Sequence, residues 1–209
     1  MVAPPLCPAC GSARAAGEEL CERCRNELAT APHLLEAGPP GVDLVVSASP
    51  FDGVARRVVH GLKFGRRLAL ARVAAEAMLR AMPARELSVE PGRGADERAL
   101  ALVPVPPGPW RLRWRGFDPA EELAIALSRR AGLPLCDCLR RSRGRRQVGR
   151  RRADRLSEPP RVWLEGPPPV IALLVDDVWT TGATLSACAA ALRSGGGRRV
   201  VALTLARAL

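Results

Sequence analysis

The chain has 209 residues, of which 47% are hydrophobic, and its formal net charge at pH 7 is +11. This length suits one medium-sized domain with a small appendage, and the hydrophobic content suffices for a core. Charged residues or prolines interrupt every apolar run before the roughly 20 residues of a membrane span, so the composition argues against a membrane-spanning protein. The positive charge favours polyanionic partners, such as nucleic acids or phosphorylated metabolites. Because the first ten residues, MVAPPLCPAC, lack the basic and apolar regions of a signal peptide, we expect a cytoplasmic protein.

Four cysteines near the N-terminus form two C-x2-C pairs separated by ten residues: Cys7, Cys10, Cys21 and Cys24. Each pair can present two thiolates from one tight turn, and two such turns supply the four ligands of tetrahedral zinc. Two disulfides would be an alternative, but a reducing cytoplasm disfavours them. A redox C-x-x-C would need a thioredoxin-like strand and helix around it, which the sequence lacks. We therefore predict a structural zinc ribbon over residues 1–32, folded mainly by its Zn2+.

The next segments alternate between extended and helical patterns. Residues 33–41 contain prolines and glycines and are predicted to be a linker, with the main domain spanning residues 42–209. A short strand is predicted at residues 43–48. From Phe51 to Met82 apolar residues recur at spacings of three and four, which predicts two helices interrupted near Gly65.

The remaining elements complete an α/β pattern. Residues 99–106, ALALVPVP, predict a buried strand that stops at its prolines. A helix is predicted from Asp118 to Arg130, because Asp118 can cap it and Pro119 suits its first turn. Strands at residues 170–176 and 200–205 flank a helix that contains Cys188, which we expect to be buried. Strands that alternate with helices predict a parallel sheet covered on both faces.

The most informative stretch is VIALLVDDVWTTGATL, residues 170–185, in which two adjacent acids end an apolar strand. Ligands of open α/β sheets bind at the carboxyl ends of the strands. The following loop leads into a helix, whose N-terminal amides suit a phosphate, while the acids suit neutral hydroxyls such as those of a ribose. The alternative is that the acids merely cap the helix. The predicted ribose-phosphate site comprises Asp176, Asp177, Thr180, Thr181, Gly182, Ala183 and Thr184.

The stretch LLVDDVWTTGATL resembles the phosphoribosyl pyrophosphate motif of type I phosphoribosyltransferases. With the four-cysteine segment, GLKFG at residues 61–65 and LVPVPPGPWRLRWRGFD at residues 102–118, nearly the whole chain resembles the ComF family, also called ComF/GntX. That family is associated with DNA uptake in natural competence. The resemblance implies a type I phosphoribosyltransferase fold that binds phosphoribosyl pyrophosphate with Mg2+. It also implies a pyrophosphate loop at Pro106, Pro107 and Gly108.

Several cationic residues are further candidates for anion binding. Lys63 is the only lysine beside 31 arginines, and its compact ammonium suits a phosphate or an acid. Arg113 and Arg115 alternate with aromatic residues, which suits phosphates or stacked bases; the alternative is aromatic packing with solvated arginines.

Residues 140–155 contain nine arginines and one acid, which predicts a mobile basic arm. In the resembling enzymes a flexible loop in this region closes over the active site. Alternatively, the arm lies along a DNA backbone. The nucleic-acid candidates within it are Arg150, Arg151 and Arg152.

Two functions are compatible with these motifs. The first is a phosphoribosyltransferase acting in DNA uptake, in which a nucleophile displaces pyrophosphate from the ribose. The second is a non-catalytic protein that keeps the ribose-phosphate pocket, senses nucleotides or binds single-stranded DNA, and passes DNA to uptake or recombination proteins. The sequence names no acceptor base and no general base, so it assigns no catalytic residue.

Overall fold

The computed structural model describes residues 4–65, 67–83, 99–108, 116–142 and 160–208. The helices are α1 (Glu22–Thr30), α2 (Gly53–Phe64), α3 (Leu70–Ala81), α4 (Pro119–Ala131) and α5 (Ala183–Ser194). The strands are β1 (Leu34–Ala37), β2 (Leu44–Pro50), β3 (Leu100–Pro104), β4 (Leu139–Arg141), β5 (Val162–Leu164), β6 (Ile171–Trp179) and β7 (Arg199–Arg207). Among these residues, no helix combines the length and the apolar composition that crossing a membrane requires.

The central sheet has the order β1-β2-β7-β6-β3. Strands β2, β7, β6 and β3 run parallel, and β1 pairs antiparallel with β2 at one edge. Strands β4 and β5 form a separate two-stranded antiparallel sheet. The prediction of an α/β fold built on a mostly parallel sheet is therefore confirmed.

Apolar side chains cover both faces of the central sheet. Because successive strand residues point to opposite faces, Leu173 and Leu174 belong to different core clusters. The first face packs against α2, α3 and α4, and the second against α5 and the β4–β5 pair. Burial on both faces explains why the inner strands are almost continuously apolar in sequence.

The helical predictions are confirmed. Helices α2 and α3 occupy the stretch between Phe51 and Met82, and Gly65 follows the end of α2. At α4 the Asp118 carboxylate accepts a hydrogen bond from the Ala120 amide at 3.1 Å, and Pro119 is the first helical residue. Gly132 ends α4 with a positive φ of 67°, the left-handed conformation that glycine adopts without strain.

The linker prediction for residues 33–41 is wrong at Leu34–Ala37, which form the edge strand β1. Its residues pair with β2, for example Leu35 with Val46, so the backbone polar groups gain partners in the sheet. A four-residue strand immediately followed by a proline- and glycine-rich turn has too short an alternating pattern to stand out in the sequence.

The N-terminal cysteine segment packs against α2 and α3, two of the helices that cover the first face of the central sheet. Cys24 and Leu28 of α1 lie in the same hydrophobic cluster as the buried residues of α2 and α3. The Glu27 carboxylate accepts a hydrogen bond from the Val54 amide at 3.0 Å, at the start of α2. Loss of structure in the cysteine segment will therefore also remove contacts that stabilise α2, which contributes to the candidate site.

Candidate functional site

Strand β6 extends beyond its neighbour β3, and this difference opens a cleft at the carboxyl edge of the sheet. Pairing between the two strands ends at Pro104 opposite Val175, with one further hydrogen bond from the Val105 amide to the Val175 carbonyl at 3.0 Å. Strand β7 continues to pair with β6 as far as Trp179. The expected strand end at Asp176 is therefore wrong by three residues, because β7 alone sustains the strand beyond β3.

The described walls of the cleft come from six parts of the chain. Seven residues predicted as ligand contacts lie there together: Lys63, Pro106, Pro107, Gly108, Asp176, Asp177 and Thr184. The cleft also includes Asp118 at the start of α4 and Arg141 of β4, which the sequence analysis did not assign to the site. At Asp118 the sequence offered a helix-cap pattern and the last position of the stretch LVPVPPGPWRLRWRGFD, and Arg141 was one of the nine arginines of the predicted basic arm.

The two acids have different surroundings. Asp177 is buried, and its Oδ1 lies 2.8 Å from Nζ of Lys63, whose side chain is 20% exposed. Asp176 is partly buried and accepts a hydrogen bond from the Asp177 amide at 2.8 Å. Burial raises the pKa of Asp176 to about 8, and the adjacent carboxylate of Asp177 adds to this rise, while the Asp177 amide and Lys63 oppose it. At neutral pH Asp176 therefore favours its protonated form, and the ammonium of Lys63 lies beside Asp177.

Helix α5 brings its N-terminus to the same edge of the sheet. Its N-cap residue is Gly182, which has a φ of 80° and offers no side-chain acceptor to the first-turn amides. A Cβ atom at Gly182 would lie 2.8 Å from Cγ of Pro39, so close packing also requires glycine here. Thr184 faces the cleft, whereas Thr180, Thr181 and Ala183 are exposed on the loop and first turn.

Arg207, at the end of β7, holds the strand end that precedes this loop. Its guanidinium lies 3.9 Å from the centroid of the Trp179 ring, 3.1 Å from Glu36 of β1, and 3.0 Å from the Thr180 carbonyl. The edge strand β1 therefore contributes to the position of the loop. No local sequence pattern identified this role of Arg207.

The other predicted cations are placed as follows. Arg113, Arg115, Arg150, Arg151 and Arg152 lie outside the described residues. Arg140 belongs to β4, where its guanidinium contacts Asp137 at 2.8 Å and Glu165 at 2.6 Å. The first residues of the predicted arm thus take part in a strand, and residues 143–159 lie outside the described part of the chain.

The four N-terminal cysteines form a cluster that can hold a structural metal such as zinc. Their sulfur atoms all lie within 4.8 Å of one another, and the sulfurs of Cys10 and Cys21 are 3.5 Å apart. Tetrahedral Zn–S bonds of about 2.3 Å place sulfur atoms about 3.8 Å apart, so the arrangement fits this metal. All four cysteines are free of disulfides. Cys188 is fully buried in α5, as predicted.

No protein-family model matches the chain, and no curated protein matches it. The chemistry of the cleft therefore carries the functional assignment. Carboxylates that are buried beside one ammonium suit neutral hydroxyl groups better than an anion. The N-terminus of α5 suits an anion, and the two features lie in one cleft. Together they fit a small polyhydroxylated molecule that carries a phosphate.

The raised pKa of Asp176 predicts a pH-dependent stability. Between pH 4 and pH 8, approximately, the folded protein retains a proton that the unfolded chain has lost, so the free energy of unfolding falls as the pH rises. Asp176→Asn keeps a carbonyl acceptor for the Asp177 amide but cannot ionise. As the pH rises from 5 to 8, the free energy of unfolding of this variant should therefore increase relative to that of wild type by at least about 1.4 kcal/mol, the equivalent of one pKa unit.

Urea unfolding at several pH values checks this prediction, because the midpoint and slope give the free energy of unfolding at each pH. Asp52→Asn is the matched control, since Asp52 is exposed and its side chain makes no cap hydrogen bond to α2. That control should retain the wild-type pH dependence. An Asp176→Asn curve parallel to the wild-type curve would show that Asp176 is ionised throughout.

The cysteine cluster predicts about one zinc per chain in protein purified without chelators. Cys21→Ser should lose the metal and lower the melting temperature of the whole protein, because Cys21 shares a hydrophobic cluster with α2 and α3. Cys136→Ser, outside the cluster, should keep the zinc. Elemental analysis measures the metal, and a zinc-free wild-type protein would contradict the assignment.

Proposed function

We propose that the chain is a type I phosphoribosyltransferase-like protein of the ComF family, which binds phosphoribosyl pyrophosphate with Mg2+ in the cleft at the carboxyl edge of the sheet. The observation that carries this proposal is the meeting of Asp176 and Asp177 with the N-terminus of α5. A ribose phosphate carries both neutral hydroxyl groups and an anion, so it can use the two features of the cleft at once.

Each chemical group of the proposed ligand is assigned to residues that line the cleft. The two acids accept hydrogen bonds from the ribose hydroxyls. The 5'-phosphate binds the first-turn amides of α5, helped by the positive end of the helix dipole and the hydroxyl of Thr184. The diphosphate, accompanied by Mg2+, lies against the loop from Pro106 to Gly108, which borders the same cleft.

Transfer would break the bond between C1 of the ribose and the diphosphate oxygen, and form a bond from C1 to an acceptor nucleophile. Pyrophosphate would leave with the bonding electrons, and a Mg2+ bound to it would supply charge stabilisation. The acceptor contributes the attacking atom and loses a proton. Within the described walls of the cleft there is no histidine or glutamate to take that proton, so the proposal assigns ligand-binding roles and no general base.

We assign the cysteine cluster to a zinc ribbon that packs against α2 and α3. Its role is structural, because four thiolates fill the coordination sphere of zinc and leave no position for a substrate. It also stabilises the helix from which Lys63 enters the cleft.

The role in DNA uptake rests on the resemblance to the ComF family and on the net charge of +11. A second candidate, single-stranded DNA binding without catalysis, is favoured by the outer face of α2. There the exposed Arg56 and Arg57 lie about one turn before the exposed ring of His60, which is followed by that of Phe64; the centroids of the two rings are 5.5 Å apart. Guanidinium groups beside exposed rings suit a strand that stacks its bases and exposes its phosphates. Pyrophosphate release in the presence of acceptor bases would favour the enzyme, and ligand binding without release would favour this second candidate.

Phosphoribosyl pyrophosphate with Mg2+ should raise the melting temperature, because a ligand that binds only the folded state stabilises it, by about 2.7 kcal/mol at 100 times Kd. Asp177→Asn should weaken binding at least about tenfold, since hydrogen bonds to charged groups contribute about 1.5–3 kcal/mol. Calorimetric titration measures the affinities of wild type and Asp177→Asn for this ligand. The control is Asp52→Asn, because Asp52 is exposed. Undiminished binding by a protein carrying both Asp176→Asn and Asp177→Asn would refute the proposed role of the acids.

A further inference from the structure

We propose that Lys63 is the residue by which the cleft distinguishes a ribose phosphate that carries a diphosphate from one that does not. In the free protein its ammonium neutralises Asp177, and in the complex it also contacts the diphosphate. This inference rests on the proposed function and assigns to one residue the selectivity between ligands of that site.

The first argument is the charge of the cleft. Although the chain as a whole is strongly basic, the described walls of the cleft hold three acids and two cations. The acids are Asp118, Asp176 and Asp177, and the cations are Lys63 and Arg141. Because Asp176 favours its protonated form, the two remaining acids match the two cations in number. A diphosphate that enters the cleft therefore gains no net attraction from its walls, and it meets the carboxylate of Asp177 at close range. Mg2+ supplies part of the compensation, and the cations of the walls supply the rest.

The second argument is the position of Lys63 in the last turn of α2. Its Nζ lies 2.8 Å from Oδ1 of Asp177, and Lys63 borders the same cleft as the loop from Pro106 to Gly108. An ammonium has three donors, so Lys63 can keep its hydrogen bond to Asp177 while a second donor binds a phosphate oxygen.

The third argument is that the backbone of α2 is fixed, while the lysine stem is flexible. Val59 and Leu62 are buried against the sheet, and a Cβ atom at Gly61 would lie only 2.6 Å from Cδ1 of Leu70 in α3. Helix α2 therefore packs closely against α3 and cannot tilt toward a ligand without losing that contact. The four-carbon stem of Lys63 allows the ammonium to move between an acid and a phosphate without movement of the helix.

The same geometry explains why a chain with 31 arginines has a lysine at this position. A guanidinium is planar and larger, and it binds carboxylates through two parallel hydrogen bonds. In a position that leaves the side chain only 20% exposed, such a fork would hold Asp177 in place and occupy both oxygens that the ribose hydroxyls need. A point charge leaves one carboxylate oxygen available.

The experiment compares three ligands by calorimetric titration of the full chain. These are ribose 5-phosphate, phosphoribosyl pyrophosphate with Mg2+, and inorganic diphosphate with Mg2+. Lys63→Met should weaken the two diphosphate ligands roughly 10- to 100-fold, the range expected for one lost charged hydrogen bond. Its affinity for ribose 5-phosphate should fall by a much smaller factor, although the variant also removes the counter-charge of Asp177. Lys63→Arg, which retains the charge, should recover part of the affinity for inorganic diphosphate.

Two further variants exclude simpler explanations. Lys63→Gln keeps a hydrogen-bond donor toward Asp177, so it should remain folded even if Lys63→Met does not. It should show the same selective loss of affinity for the two diphosphate ligands. Arg56→Gln removes one charge from the exposed face of the same helix, and should leave all three affinities unchanged if the effect is local.

The outcomes separate this inference from the proposed function. If wild type binds ribose 5-phosphate and phosphoribosyl pyrophosphate, but the Lys63 variants lose both equally or lose neither, the inference is wrong and the proposed function stands. If wild type binds neither ribose compound, both are wrong. A selective loss of the diphosphate ligands supports both.

Discussion

The candidate site depends on two adjacent carboxylates, Asp177 buried and Asp176 partly buried, at the point where β6 continues without β3. Two neighbouring ionised acids in this environment would repel each other and lose hydration, and the protein meets this constraint in two ways. Burial favours the protonated form of Asp176, whose pKa rises to about 8, and the ammonium of Lys63 lies 2.8 Å from Asp177. The free protein thus maintains an arrangement that a hydroxyl-bearing ligand can stabilise.

The surrounding fold positions the groups that this arrangement needs. Close packing of α2 against α3 directs Lys63 into the cleft, and the N-terminal cysteine segment supports that packing from outside. On the other side, Arg207 joins Glu36 of β1 to the Trp179 ring and the Thr180 carbonyl, which places the loop before α5. Elements that are far apart in sequence therefore determine one small site.

The sequence predicted the parts of this site that depend on local chemistry. The acids and the glycine before α5 follow from residue type and order, and the parallel sheet follows from alternating strands and helices. The ligand role of the proline-rich loop after β3 was predicted from the resemblance to a family. Asp118, Arg141 and Arg207 were missed as contributors, because their roles depend on contacts between distant segments. The edge strand β1 was missed because four residues beside prolines and glycines carry too little periodicity, and β6 was predicted too short because only its pairing with β7 extends it.

The central claim is that Asp176 and Asp177 bind the hydroxyls of a ribose phosphate, and one comparison of affinities tests it most directly. Ribose 5-phosphate and 2-deoxyribose 5-phosphate differ by a single hydroxyl, and both retain the phosphate that the N-terminus of α5 would bind. A site whose buried acceptor is left unpaired should reject the deoxy compound. We predict that it binds at least about tenfold more weakly in calorimetric titrations at equal ionic strength. Equal affinity for the two compounds would contradict the account.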